Sequence, residues 1–293
     1  MKVTSLSSGS SGNCYLIQHE GVNILIDSGL TASTIQKHLR ACGTSLEEIS
    51  AIFLTHDHSD HLRSAGSISR RWGVPIIANE KTLKASRYRW DKEVRLEAVR
   101  EAQQIGTYNE PRGPYNTEVL PVGGVKSFGG LEISSVPVSH DAADTVCYTF
   151  TAGGQQGMIL TDLGCATEPI FEPLYHSDLI ILEANHDLQR LFKSARPQFL
   201  KARIASDHGH LSNEQSAGIL SRVIEWSGTS HTVWLAHLSE ENNDPKNAVK
   251  YITTCLENRG INKFPLKVAL RDKPSLSWNA QESLFQAQML FDF

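Results

Sequence analysis

The segment Thr55-His56-Asp57-His58-Ser59-Asp60-His61 constrains this chain more than any other. It places three histidines and two aspartates in six residues, directly after the apolar run Ala51-Ile52-Phe53-Leu54. That run reads as a short buried strand. A loop leaving the end of such a strand is where α/β folds place their sites. So many ionisable groups are unfavourable as plain core. His56 and His58, two apart, point the same way in extended chain. Asp60 and His61 then turn toward a neighbouring position. One short loop can therefore give two ligands to each of two adjacent metal ions. Neutral imidazole and carboxylate suit Zn, Mn or Fe.

Further ligands are available elsewhere. His140, Asp162 and His237 each lie at or just beyond the C-terminal end of an expected strand: Ser134 to Val138, Met158 to Leu160, and Thr232 to Ala236. This brings them to one rim of a sheet, where the two oxygens of Asp162 can bridge two ions. The five cysteines are scattered and contain no Cys-x-x-Cys pair, so they read as buried reduced thiols rather than a thiolate zinc site or a disulfide framework. His19, His38, His176 and His231 receive a structural reading, and His208 reads as a surface residue.

The rest of the chain supplies the frame. Strands are expected at Cys14–Ile17, Asn23–Ile26, Val74–Ala78, Leu131–Val138, Thr145–Thr151, Leu179–Leu182 and His231–Ala236. Helices are expected at Thr31–Arg40, Ser64–Trp72, Glu168–Tyr175, Ser212–Trp226 and Pro245–Asn258. Ser212 with Gln215 three residues on forms a capping-box pattern. Strands interleaved with helices predict an α/β layered fold. No long linker interrupts the 293 residues, so one domain over 1–293 is expected. It carries a charged insertion at about 84–120 and a tail after about 275. At 40% hydrophobic and 20% charged, the composition excludes whole-chain disorder. No apolar run approaches membrane-spanning length and no targeting sequence opens the chain, so a cytoplasmic protein with no membrane partner is expected.

Net charge is −4, which does not mark a nucleic-acid binder on its own. Two local segments run against it. Lys81 to Arg100 has seven basic and three acidic residues, and Arg190 to Arg203 has five basic and none acidic. Such segments can attract a phosphate chain.

With His56, His58, Asp60 and His61 as an HxHxDH signature, and His140, Asp162 and His237 following in order, the sequence resembles the metallo-β-lactamase superfamily. Several stretches sharpen the likeness to its YycJ/WalJ-type subfamily. They are Ser8–Asn13, Val138–Ala143, Thr161–Gly164, Glu183–Asp187, Gly209–Asn213 and Ala236–Asn243. The resemblance implies an α/β, four-layer αββα sandwich with the metals at one edge. It implies that His56, His58 and His140 hold one divalent ion, Zn or Mn. Asp60, His61 and His237 would hold the second, with Asp162 between.

Gly209-His210-Leu211-Ser212 and Glu183-Ala184 are similar to motifs of the transfer-RNA-processing ribonucleases of the superfamily. The resemblance implies that His210 acts as proton donor, with Glu183 orienting it and Asp60 joining them in the catalytic set. Ser10, Asn13, His186 and Ser212 are candidate substrate-binding residues. The expected function is a dinuclear phosphodiesterase with exonuclease-like action, on DNA in preference to RNA, in which metal-activated water attacks phosphorus. A small-molecule (cyclic nucleotide) diesterase, or a thioester, lactone or β-lactam hydrolase, uses the same metal site but leaves the basic run without a role. A diiron flavoprotein is disfavoured because His58 stands where that group has a carboxylate. A ligand-depleted binding module is disfavoured because all seven ligand positions are filled.

Overall fold

The computed structural model describes residues 1–105, 115–227, 231–262 and 264–280. In chain order the first strands are β1 (Lys2–Ser7), β2 (Cys14–His19), β3 (Val22–Ile26), β4 (Ala51–Phe53), β5 (Ile76–Ala78), β6 (Thr117–Val119) and β7 (Val125–Phe128). They continue as β8 (Leu131–Pro137), β9 (Val146–Ala152), β10 (Gln155–Leu160), β11 (Leu179–Glu183), β12 (Thr232–Ala236), β13 (Leu266–Val268) and β14 (Leu276–Asn279). The helices are α1 (Ala32–Ala41), α2 (Ser59–Leu62), α3 (Ala65–Trp72), α4 (Glu80–Ile105) and α5 (Phe171–Tyr175). After them come α6 (Leu188–Lys193), α7 (Gln198–Ile204), α8 (Asn213–Ser227) and α9 (Pro245–Glu257).

Among the described residues the strands form two seven-stranded sheets. One runs β14-β1-β2-β3-β4-β5-β6 and the other β13-β12-β11-β10-β9-β8-β7. The side-chain period of two along a strand sorts each strand between two cores. In β11, Leu179 and Ile181 face the core between the sheets, while Ile180 and Leu182 pack under helices on the far side. In β4, Ala51 and Phe53 face inward, and Ile52 joins Ile35, Leu39, Ile68 and Trp90 of α1, α3 and α4 on the other outer face. Two sheets face to face with helices outside both make the four-layer αββα sandwich expected from the motifs. Burial on both faces is why these strands read as unbroken apolar runs.

Local chemistry agrees with the elements. Thr31 caps α1, and Gly73 ends α3 in the left-handed region. Ser212 and Gln215 cap α8 reciprocally: Gln215 N donates to Ser212 Oγ at 3.2 Å, and Ser212 N donates to Gln215 Oε1 at 2.9 Å. The expected helix Glu168–Tyr175 is a 3-10 turn followed by the short α5, because Pro169 and Pro173 interrupt the hydrogen-bond ladder. The charged stretch after Lys81 lies in α4, and Leu276–Asn279 of the tail adds β14 to the edge of β1. Residues 106–114 of the expected charged insertion lie outside the described residues. No helix among the described residues is long and apolar enough to cross a membrane.

β3 and β4 pair in parallel, as do β10, β11 and β12. Two antiparallel pairings, β8 with β9 and β9 with β10, give β8 the direction of β10. Asp27, the His56–His61 loop, His140, Asp162, Glu183 and His237 therefore all emerge at strand C-termini along one edge.

Candidate metal centre

The backbone of the histidine loop is held from both sides. Tyr148 Oη donates to Leu54 O at 2.8 Å, and Val146 N donates to Thr55 O at 3.1 Å, which joins the loop to the opposite sheet. Asn13 N donates to Asp60 O, and Ser28 N donates to His61 O. The chain passes so closely here that a Cβ on Gly29 would lie 1.7 Å from Asp60 O, so only glycine fits. Asp27, Asp162 and His237 follow β3, β10 and β12 with φ of 62°, 61° and 51°. Non-glycine residues occupy this region at some energetic cost, and such positions cluster at functional sites. Here the turn swings each side chain off its strand end into the same space. Ser8 Oγ accepts from His237 N at 2.8 Å and fixes one of these turns.

The ligand atoms converge in groups. His56, His58 and His140 each offer a nitrogen to one position, with the three atoms within 4.8 Å of one another. Asp60, His61 and His237 do the same at a second position. His56, His61 and Asp162 form a third group that shares one histidine with each of the others, so Asp162 stands between the two positions. A fourth grouping joins Asp162, Glu183, His210 and His237.

The hydrogen bonds behind these atoms decide which nitrogens are free. Histidines that bind metal donate their other ring N–H to a carboxylate, carbonyl or hydroxyl. His61 Nδ1 donates to Asp27 Oδ2 at 2.7 Å, His237 Nδ1 to Glu183 Oε1 at 2.6 Å, and His140 Nδ1 to Gly209 O at 2.9 Å. Thr55 Oγ1 spends its proton on Asp27, so it accepts from His56 Nδ1 at 2.9 Å. His58 Nδ1 faces His140 Nε2 at 3.4 Å, while its Nε2 lies 3.9 Å from Asp141 Oδ1. His56 Nε2 and His237 Nε2 are buried without a hydrogen bond, and Asp162 Oδ2 faces His61 Nε2 at 3.1 Å. Unpaired buried acceptors are costly unless something binds them. Divalent cations fit this donor set: imidazole lone pairs and carboxylate oxygens, oriented from behind and aimed inward.

Electrostatics agree with that fit. Burial and the neighbouring His61 push the His56 pKa well below the usual histidine value, which keeps it in the neutral, ligating form. Burial also disfavours protonated His237, yet Asp162, Asp60 and Glu183 outweigh it and raise its pKa to about 10. His61 is raised for the same reason, against burial, by Asp162, Asp27 and Asp60. The carboxylate cluster thus demands positive charge.

Glu183 links the cluster to His210. It is fully buried, and its Oε1 accepts from His210 Nδ1 at 2.9 Å as well as from His237. Its Oε2 accepts from Leu163 N at 3.2 Å and Leu211 N at 3.1 Å. Burial pushes the carboxyl up, but His210 and His237 outweigh it and bring its pKa to about 2. Burial likewise opposes protonation of His210, and the Glu183 charge and hydrogen bond, with Asp162, raise its pKa above the ordinary value. Gly209 lets this strap close, because a Cβ there would lie 2.2 Å from Ile204 O.

A cleft of about 220 Å³ opens over the centre. His58, Asp60, Asp162, His210 and His237 line its floor, and Ser10, Asn185, Ser239, Arg196 and Arg203 are among its other lining residues. Of the four expected substrate-binding residues, Ser10 is therefore in the cleft. Asn13, His186 and Ser212 are buried and do not line it. Asn13 clips the Gly9 turn through both amide atoms, with Nδ2 3.0 Å from His61 Nε2. Burial brings the His186 pKa to about 4, and Ser212 is occupied capping α8. Asp27, Asn185 and Asp141 are additional members of the site. Asp27 had a signal: it follows an apolar strand, as Asp162 does.

Residues 8–215 match the model of the metallo-β-lactamase superfamily. The chain is 33% identical over 242 residues to the exodeoxyribonuclease WalJ of Streptococcus pneumoniae, covering 83% of each chain. It is 32% identical over 256 residues to the exodeoxyribonuclease YycJ of Bacillus anthracis, covering 87% of this chain and 89% of that one. The metallo-β-lactamase fold protein YhfI of Bacillus subtilis superposes with a TM-score of 0.62 over 94% of this chain and 98% of its own, at 17% identity. Family match, relatives and architecture agree: the chain belongs to the metallo-β-lactamase superfamily.

Proposed function

We propose that this chain is a two-metal phosphodiesterase that shortens DNA from an end, with His210 as the proton donor. The observation that carries the reading is the Glu183 bridge, which binds His210 Nδ1 and His237 Nδ1 through one oxygen. It leaves His210 Nε2 as the nitrogen available to the cleft, beside the ligand cluster. The names of WalJ and YycJ support a DNA substrate and exonucleolytic action.

In this reading His56, His58 and His140 hold one divalent ion, Zn or Mn. Asp60, His61 and His237 hold the other, and Asp162 reaches both. Such a pair, when bound, supplies an activated water and neutralises charge on a phosphate oxygen. Asp60, which lines the cleft, would hold the second ion through one carboxylate oxygen, leaving the other as a hydrogen-bond acceptor for that water. The Glu183 charge and hydrogen bond raise the His210 pKa above the ordinary histidine value, which favours the protonated ring, and its Nε2 proton would go to the departing alkoxide. Glu183 stabilises the cation beforehand and fixes its direction. A positioned acid contributes about 10²–10⁴ in rate. Arg196 and Arg203 meet the phosphates on either side. Each is steadied by a carboxylate: Arg196 Nε donates to Glu241 at 2.7 Å, and Arg203 Nε donates to Asp141. Small-molecule pockets usually enclose about 300–1,000 Å³, more than this cleft offers, which favours one diester group of a longer strand.

The test uses end-labelled duplex DNA, single-stranded DNA and RNA with Mn- and Zn-loaded protein, and His210→Ala as control. Progressive shortening of DNA that depends on metal and on His210 is the expected result. Cleavage of no polymer, with hydrolysis of acyl substrates instead, overturns the reading.

A further inference from the structure

The basic run whose Arg196 and Arg203 line the cleft also carries two exposed aromatic rings that the chemistry above does not use. Phe192 of α6 is 52% exposed and Phe199 of α7 is 75% exposed. Exposed apolar residues scattered singly need no explanation. These two lie on α6 and α7, inside the acid-free basic run Arg190 to Arg203, and α7 lines the cleft.

Their placement follows from helix geometry. Leu200, Arg203 and Ile204 of α7 line the cleft. Phe199 and Arg203 are four residues apart, so Phe199 stands one turn from Arg203 on the same side of the helix. α6 is fastened to α7 by the buried Lys201, whose Nζ donates to Phe192 O at 2.8 Å. The pair is also tied to the chain after β12: Arg190 meets Asp244 at 2.8 Å and Arg196 meets Glu241 at 2.7 Å. Lys193, next to Phe192, is exposed and has no acidic partner among the described residues. Both rings thus stand on anchored helices, Phe192 beside Lys193 in the chain and Phe199 one turn from the cleft-lining Arg203.

We propose that Phe192 and Phe199 are a stacking ledge for unpaired bases of the strand whose end enters the cleft. Nucleobases stack on aromatic rings without regard to sequence, while cations follow the backbone. In a duplex the base faces are covered, so the ledge selects single-stranded or frayed DNA. This inference rests on the phosphodiesterase reading and adds specificity to it.

The experiment measures binding of a short labelled single strand to metal-free protein by fluorescence anisotropy. A matched strand with abasic positions upstream of the end is the comparison. Phe192→Ala and Phe199→Ala are each expected to weaken binding of the normal strand by about 5- to 150-fold. Phe192→Trp and Phe199→Trp are expected to retain it, and the abasic strand should bind wild type and variants alike. Hydrolysis of bis(p-nitrophenyl) phosphate by the metal-loaded variants should match wild type, which reports an intact fold. Unchanged affinity for the normal strand in both alanine variants overturns the ledge. So does an equal loss on the abasic strand, which would mark a structural role. Failure of the wild type to hydrolyse any phosphodiester overturns the reading beneath it instead, and the anisotropy comparison separates the two failures.

Discussion

Glu183→Gln isolates the residue that joins the metal cluster to the proton donor. The replacement keeps shape but presents one acceptor oxygen and one NH₂ group. Four donors converge on the native carboxylate: two histidine N–H groups and the N–H groups of Leu163 and Leu211. If the amide oxygen stays with the backbone, both rings lose their acceptor and are driven to the other tautomer. His237 then carries its proton on Nε2, where a ligand lone pair is needed. His210 becomes a neutral and much weaker acid. Loss of a partner behind a ligand typically lowers metal affinity about 10–100-fold, and loss of a positioned acid costs about 10²–10⁴ in rate. The assay compares two diesters at saturating metal: one with an alkoxide leaving group and one with nitrophenolate, which departs without a proton. The alkoxide substrate should fall by the full factor and the nitrophenolate substrate by much less. Equal losses on both, or no loss, would refute the assignment of Glu183 to His210. The same carboxyl leaves a mark on stability. Its pKa is depressed from 4.5 to about 2 in the metal-free fold, on the order of 3 kcal/mol. A depressed pKa means this contribution is present above about pH 4.5 and is lost as pH falls toward 2. Denaturant midpoints of wild type should drop across that window, and those of the variant should drop less, because Asp162 and Asp60 keep their own depressed pKa values.

Other perturbations follow from the same geometry. Asp27→Asn removes the carboxylate behind His61 Nδ1 and should weaken metal binding by about 10–100-fold, read by competition with a chelating dye. Gly29→Ala drives a methyl group into Asp60 O, so the variant should lose metal affinity or fold poorly, seen as a lowered Tm that added metal does not restore. Because His237 is held at about 10 without metal, binding must expel protons; affinity measured by calorimetry should rise with pH from 6 to 8.

The layered α/β frame and the convergence of the seven candidate ligands were legible because each depends on local pattern, whereas the four-layer αββα arrangement came from the family resemblance. Runs such as Leu179–Leu182 are apolar at every position, which only a strand buried on both faces requires. The seven candidate ligand residues sit at strand ends, where sequence position and spatial position coincide. Asn13, His186 and Ser212 were misplaced for a common reason. Adjacency to a motif does not say whether a side chain turns toward solvent or back into the turn that carries it. The Asn13 amide is taken up by Gly9 and by His61 Nε2, and Ser212 Oγ by the α8 cap, while both ring nitrogens of His186 are buried without a hydrogen bond. Asp27 was missed because its role exists only through His61, 34 residues away. Edge strands β6, β13 and β14 carry too few apolar residues to announce themselves, and pairing with a neighbour defines them.

The central claim is a two-ion centre in which Asp162 reaches both positions. Equilibrium dialysis against Zn or Mn, followed by elemental analysis, tests it on wild type and Asp162→Ala. The account predicts two ions per wild-type chain and at most one in the variant. One ion in wild type, or two in the variant, would contradict it.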